Sequence, residues 1–154
     1  MKLTENFSLK EMTQSQTALK NNIDNEPNAE QIENIKHLCQ TILQPLREDF
    51  QLPIKITSGF RSPALCEILG SKSTSQHCAN NGAAADFEIP GVDNKKVFKH
   101  IIENLPIDQA ILEYYDESDI NSGWIHVSWS PNPRGQALTK DKEGYKTWQE
   151  ISLK

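Results

Sequence analysis

The longest stretch of periodic apolar positions lies between residues 28 and 50. There Ile32, Ile35, Leu38, Ile42, Leu46 and Phe50 recur at intervals of three and four. That spacing lays one apolar stripe along a helix. Asn28 with Gln31 offers a cap at its start, and Pro45, which has no N–H to donate, is expected to kink or split it. His37 falls on this helix and reads as a packing or surface residue. Shorter helices are marked by their caps. Ser8 to Glu11 has the Ser-x-x-Glu form of a capping box and predicts a helix to about Lys20. Ser62 precedes Pro63, a favoured first helical residue, and the helix carrying Ala64, Leu65, Ile68 and Leu69 is expected to end at Gly70. Asp93 caps a further helix whose Val97, Phe98, Ile101 and Ile102 face inward and whose His100 faces out, with Pro106 beyond its end.

Elsewhere the period changes from helical to alternating, as strands require. Residues 54–57 form a short strand. Residues 84–89 place Ala84, Asp86 and Glu88 on one face and Ala85, Phe87 and Ile89 on the other, with Pro90 and Gly91 as the stop. Residues 109–115 put Ile111 and Glu113 on one face. An acidic turn, 116–123, leads to residues 124–129, where Trp124, His126 and Ser128 alternate with Ile125, Val127 and Trp129. The tail carries Ala137, Leu138, Tyr145, Trp148 and Ile151, enough for one more strand and a terminal packing segment. Residues 21–27 and 71–75 are polar loops. Helices come first and strands cluster later, so the expected architecture is α+β, a small antiparallel sheet with helices packed on it, in a single domain over 1–154.

Composition narrows the classes. Hydrophobic residues make up 36% and charged residues 24%, as in a globular protein. No apolar run reaches the roughly 20 residues of a membrane span, so no membrane insertion is expected. The N-terminal residues lack the apolar core of a secretory signal, which predicts synthesis in a cytoplasm. A net charge of −5 argues against a nucleic-acid partner. Nothing in the sequence forces a dimer, so a monomer is expected. Cys39, Cys66 and Cys78 cannot all pair and match no zinc-knuckle spacing, so free thiols are expected.

The chemistry centres on residues 75–88, SQHCANNGAAADFE, which hold His77, a glycine turn and then Asp86 at the start of an apolar run. The spacing is too long for one helix face, but a loop returning beside the next strand brings both side chains to one point. His126, on the last clear strand, supplies a third donor. Two imidazoles and a carboxylate, with one position left for water, are the ligand set of a catalytic zinc ion, which makes hydroxide accessible at neutral pH. Cys78 as a fourth ligand would close that position. Each residue taken singly has an ordinary alternative: a loop histidine, a solvated carboxylate and a satisfied core histidine.

Three blocks in order, SGFRSP, SQHCANNGAAADFE and GWIHVSW, together resemble the zinc-dependent D-Ala-D-Ala carboxypeptidase and L-alanyl-D-glutamate peptidase family. That family includes many phage endolysins and shares its fold with the Hedgehog signalling domain. The blocks run from residue 58 to residue 129. The resemblance implies His77, Asp86 and His126 as zinc ligands. It implies Arg61 as the residue that binds a substrate carbonyl or carboxylate and steadies the oxyanion, a task suited to a fixed-charge forked donor. It also implies a supporting hydrogen bond from Ser75.

Two departures from the family pattern stand out. The spacer between His77 and Asp86 is longer than is common there, with Asn80 and Asn81 as the extra pair. Many members carry an acidic general base three positions before the last histidine, where this chain has Gly123. The candidate replacements are Glu113, on a strand expected to pair with that of His126, and Asp119 in the acidic turn; Glu88 is a poorer one. Trp124 and Tyr115 are candidate walls of the cleft. The expected activity is zinc-dependent hydrolysis of an amide bond in peptidoglycan stem peptides, in a phage endolysin-like protein reaching the bacterial cell wall through a holin-like pore. A glycine in place of the base would instead favour a catalytically inactive zinc-bearing structural or binding module.

Overall fold

The computed structural model describes residues 1–70 and 75–149. Two segments named above, most of the polar loop before His77 and the tail from residue 150 with Ile151, lie outside the described residues. Within them the capping residues do what their chemistry requires. Ser8, Ser15, Asn28, Ser62 and Asp93 each accept a backbone N–H at a helix start. The first helical stretch is two helices rather than one, α1 (Leu9–Thr13) and α2 (Gln16–Lys20). Gln14 turns extended, at φ −67° and ψ 132°, and Ser15 caps the chain afresh.

The long periodic segment divides where proline demands it. α3 (Ala29–Leu38) opens with a complete capping box, in which Asn28 and Gln31 bond reciprocally. A π-helical turn, Cys39–Leu43, then joins it to α4 (Gln44–Phe50). In that turn the Gln44 N–H reaches back to the Cys39 carbonyl, a ladder slipped by one residue just before Pro45. The slip relieves the clash a proline ring makes with the preceding turn and keeps the apolar stripe continuous. α5 (Pro63–Ile68) and α6 (Asn94–Asn104) complete the helices.

Six strands form one sheet: β1 (Lys55–Ser58), β2 (Ala83–Glu88), β3 (Gln109–Glu113), β4 (Trp124–Trp129), β5 (Gln136–Asp141) and β6 (Gly144–Thr147), in the order β1-β2-β4-β3-β5-β6. The tail therefore gives two strands, with Trp148 packed edge-on against Phe98. The expectation of a purely antiparallel sheet is corrected at one pair, since β5 runs parallel to β3. The reason is connection length. β4 runs back along β3 and finishes beside its start. Residues 130–135 carry the chain only to the outer edge of β3, and a strand entering there must run the same way. The architecture is α+β.

The alternation divides the sheet into two faces. Ala85, Phe87, Ala110, Leu112, Ile125 and Val127 are buried with Ile35 and Leu38 of α3 and Val97, Phe98 and Ile101 of α6 in one core. The other face carries Asp86, His126, Ile111, Glu113 and Lys140, brought side by side by the strand register. His37 stacks on Trp129 at 4.6 Å between ring centroids, a packing role. No helix among the described residues is long and apolar enough to cross a membrane.

Candidate metal centre

Asp86 and His126 are direct partners across the β2–β4 ladder, and His126 Nδ1 lies 2.8 Å from Asp86 Oδ1. Strand pairing thus fixes two of the three donors. The third comes from a short 3₁₀ turn, Gln76–Cys78, started by Ser75, whose hydroxyl accepts the His77 N–H at 3.2 Å. His77 Nε2 stands 3.5 Å from Asp86 Oδ1, and one ligand atom from each residue lies within 4.8 Å of the others.

The turn at residues 58–62 explains how His77 is aimed. Its Nδ1 lies 2.7 Å from the Gly59 carbonyl, which can only accept, so Nδ1 bears the proton and Nε2 offers its lone pair. The Arg61 N–H donates to the His77 carbonyl at 2.8 Å, so ring and backbone are held by the same turn. Gly59 cannot be another residue without a shift, because a Cβ there would lie 2.2 Å from the Met12 carbonyl oxygen, which accepts the Phe60 N–H. The lengthened spacer is anchored from α3. Gln31 donates to the Cys78 carbonyl and to Asn80 Oδ1, and Asn34 donates to the Ala79 carbonyl. Asn80, one of the extra pair, is thereby held against α3.

Burial pushes the His77 imidazole down, with Asp86 opposing, so the ring is neutral near pH 7. Burial alone would raise the Asp86 carboxyl, but the hydrogen bond from His126, aided by the neighbouring His77, holds it well below the usual carboxylate range. A neutral imidazole with an aimed lone pair and an ionised carboxylate are the forms a cation requires. The donor set of two nitrogens and one oxygen fits zinc.

These residues open into a cavity of about 690 Å³, lined also by Arg61, Gln76, Gln109, Ile111, Glu113, Trp124, Arg134, Lys140 and Tyr145. Glu113 is buried, and Trp124 Nε1 donates to its Oε2 at 2.9 Å. Burial and the negative charge of Asp86 raise the Glu113 carboxyl above its ordinary value, with His126, Trp124 and Lys140 pulling the other way. Arg61 donates from Nε and Nη2 to Ser58 Oγ, and Nη2 lies 3.7 Å from Asp86 Oδ2.

The structure brings Glu113, Arg61 and Trp124 to the cavity. It leaves Asp119 exposed in its turn, accepting the Asn121 N–H, and Glu88 and Tyr115 also lie off the cavity wall. Gly123 has a backbone reason for being glycine. Its φ is +69°, and a Cβ would meet the Glu113 carbonyl oxygen at 2.1 Å. Cys78 is turned away from the cavity toward Cys66, Sγ to Sγ 2.9 Å, with burial pushing its thiol up to about 12.

Sequence reasoning did not find Lys140, Tyr145, Arg134 or Gln109. Arg134 donates from Nε and Nη2 to the two oxygens of buried Asp108, which also accepts from Gln76 Nε2 at 2.8 Å, so the residue before the first ligand is tied to the far end of β3. No spacing signals these contacts. They depend on β5 lying beside β3.

A mixed sheet and an adjoining 3₁₀ turn bring two histidines and an aspartate to one cavity, in an arrangement that could hold a single metal ion. The family model described as Peptidase M15 matches residues 5–128, and the chain belongs to that family. Its peptidases are zinc-dependent, and His77, Asp86 and His126 are close enough to hold a metal ion. No curated protein matches the chain.

Proposed function

We propose that this chain is a zinc metallopeptidase that hydrolyses an amide bond in peptidoglycan stem peptides, of the D,D-carboxypeptidase or L-alanyl-D-glutamate endopeptidase type. The observation that carries the reading is the convergence of His77, Asp86 and His126 in one cavity with a buried carboxyl, Glu113, on the same wall. A zinc ion held by the three residues would supply Lewis-acid polarisation of the carbonyl and of a water. Glu113 takes the proton of the attacking water and delivers it to the leaving nitrogen, and its raised proton affinity suits both halves of that task. Trp124 keeps one Glu113 oxygen in a fixed direction. Arg61, beside Asp86 at the cavity wall, donates to the oxyanion as charge develops.

The role proposed with this activity is endolysin-like, with access to the bacterial wall through a holin-like pore. The test is digestion of purified peptidoglycan by the zinc-loaded protein, with new amino termini and fragment masses recorded. Cleavage that requires zinc and is lost in Glu113→Gln supports the reading. Zinc bound at about one ion per chain, with intact stem peptides, overturns it in favour of a binding module.

A further inference from the structure

The family match ends at residue 128, and the hairpin formed by β5 and β6 lies wholly beyond it. That hairpin nevertheless builds one side of the cavity, with Lys140 and Tyr145. Lys140 is the register partner of Glu113 across the parallel β3–β5 pair, and of Tyr145 across the β5–β6 pair. Its ammonium sits 4.9 Å over the Tyr145 ring and 4.0 Å from Glu113 Oε1. The second distance is an ion pair but too long for a hydrogen bond. The amine is therefore positioned from both sides, on a strand, at the cavity edge next to the proposed proton carrier. Arg61 and Arg134 also line the cavity, but Arg134 is held by both oxygens of Asp108 and Arg61 lies beside Asp86, whereas the Lys140 ammonium is outside hydrogen-bond range of Glu113 and can donate to an anionic group.

We propose that Lys140 is a specificity-determining residue that binds the carboxylate of the residue released with the leaving amine. The substrate is then a peptide whose leaving residue carries a free α-carboxylate. This rests on the hydrolase reading above. The side of the scissile bond follows from Glu113: the group that delivers a proton to the leaving nitrogen must be within hydrogen-bond reach of it. An α-carboxylate is two bonds from that nitrogen, so it falls beside the cation that flanks Glu113. D-Glutamyl and D-alanyl leaving residues meet this condition, whereas an amidated D-isoglutaminyl residue does not.

The probes are L-Ala-γ-D-Glu-L-Lys and N-acetyl-L-Lys-D-Ala-D-Ala, each with the leaving residue's α-carboxylate free and as the carboxamide. Binding is read by calorimetry on the metal-free full chain, and cleavage is read separately on the zinc-loaded chain. For at least one of the two peptides the wild type should bind the free carboxylate about tenfold more tightly than the carboxamide, the discrimination of one charge-assisted hydrogen bond. Lys140→Met should bring that ratio near one, and Lys140→Arg should restore part of it, with thermal unfolding showing that each variant is folded. Lys140→Met also leaves the Glu113 charge uncompensated, which weighs on the carboxylate more than on the carboxamide, so the ratios are read in a Glu113→Gln background as well, where Lys140→Met should again bring the ratio near one. No preference in the wild type, no detectable binding of either free-carboxylate peptide, or a preference that survives Lys140→Met overturns the assignment. A Lys140-dependent preference without cleavage supports the assignment and sinks the hydrolase reading. Cleavage without a preference does the reverse.

Discussion

Trp124 and Glu113 face each other across the β3–β4 ladder, and the indole N–H of one donates to the carboxyl of the other at 2.9 Å. This bond favours the ionised carboxylate, while burial favours the neutral acid. Trp124→Phe removes only the first influence, so Glu113 should become harder to ionise. A general base must be ionised to act, so the acidic limb of the kcat/KM profile should move to higher pH. The measurement is a pH–rate profile of both proteins on one peptide, and an unmoved limb would show that Glu113 does not set it.

Glu113→Gln keeps the shape and the bond from Trp124 but cannot take a proton. It should lower kcat by about a hundredfold to ten-thousandfold while metal content stays that of the wild type. A parallel fall in zinc would place Glu113 among the ligands instead. Adding an acid at the family's usual place, Glu113→Gln with Gly123→Glu, should restore nothing, because a side chain there collides with the Glu113 carbonyl.

Metal binding should depend on the turn that aims His77 as well as on the ligands themselves. His126→Ala should abolish zinc retention. Gly59→Ala, whose added methyl meets the Met12 carbonyl, displaces the acceptor that fixes the His77 tautomer. Zinc affinity should then fall about 10- to 100-fold. Competition with a fluorescent chelator reads both variants, and wild-type affinity in Gly59→Ala would separate the turn from the site.

Asp108 joins Gln76 to Arg134, and the bonds from Arg134, opposed by burial and aided by Gln76, hold its carboxyl well below the usual carboxylate range. A depressed folded-state pKa gives stability that is present above the unfolded value of about 4 and is lost as pH falls below it. Asp108→Asn should therefore cost about 2 kcal/mol near neutrality. In urea titrations the gap between variant and wild type should close as the solution is acidified through that range. A gap independent of pH would mean that shape, not charge, is what Asp108 contributes.

Much of this protein was legible along the chain, because caps and periodicity are local. Ser8, Asn28, Ser62 and Asp93 start helices with their own side chains, and the alternation at residues 124–129 already puts His126 opposite the core face. The three ligands carried a signal because their residue types and their order are specific. What the chain order leaves open is adjacency. His77 faces Asp86 because a carbonyl at Gly59 turns its ring, and Glu113 stands beside the site because β4 pairs with both β2 and β3. Lys140 reaches Glu113 only because a short connection makes β5 run parallel along the outer edge of β3. Hydrogen-bonded register between distant strands is a property of the folded sheet, and no local pattern encodes which strand will lie next to which.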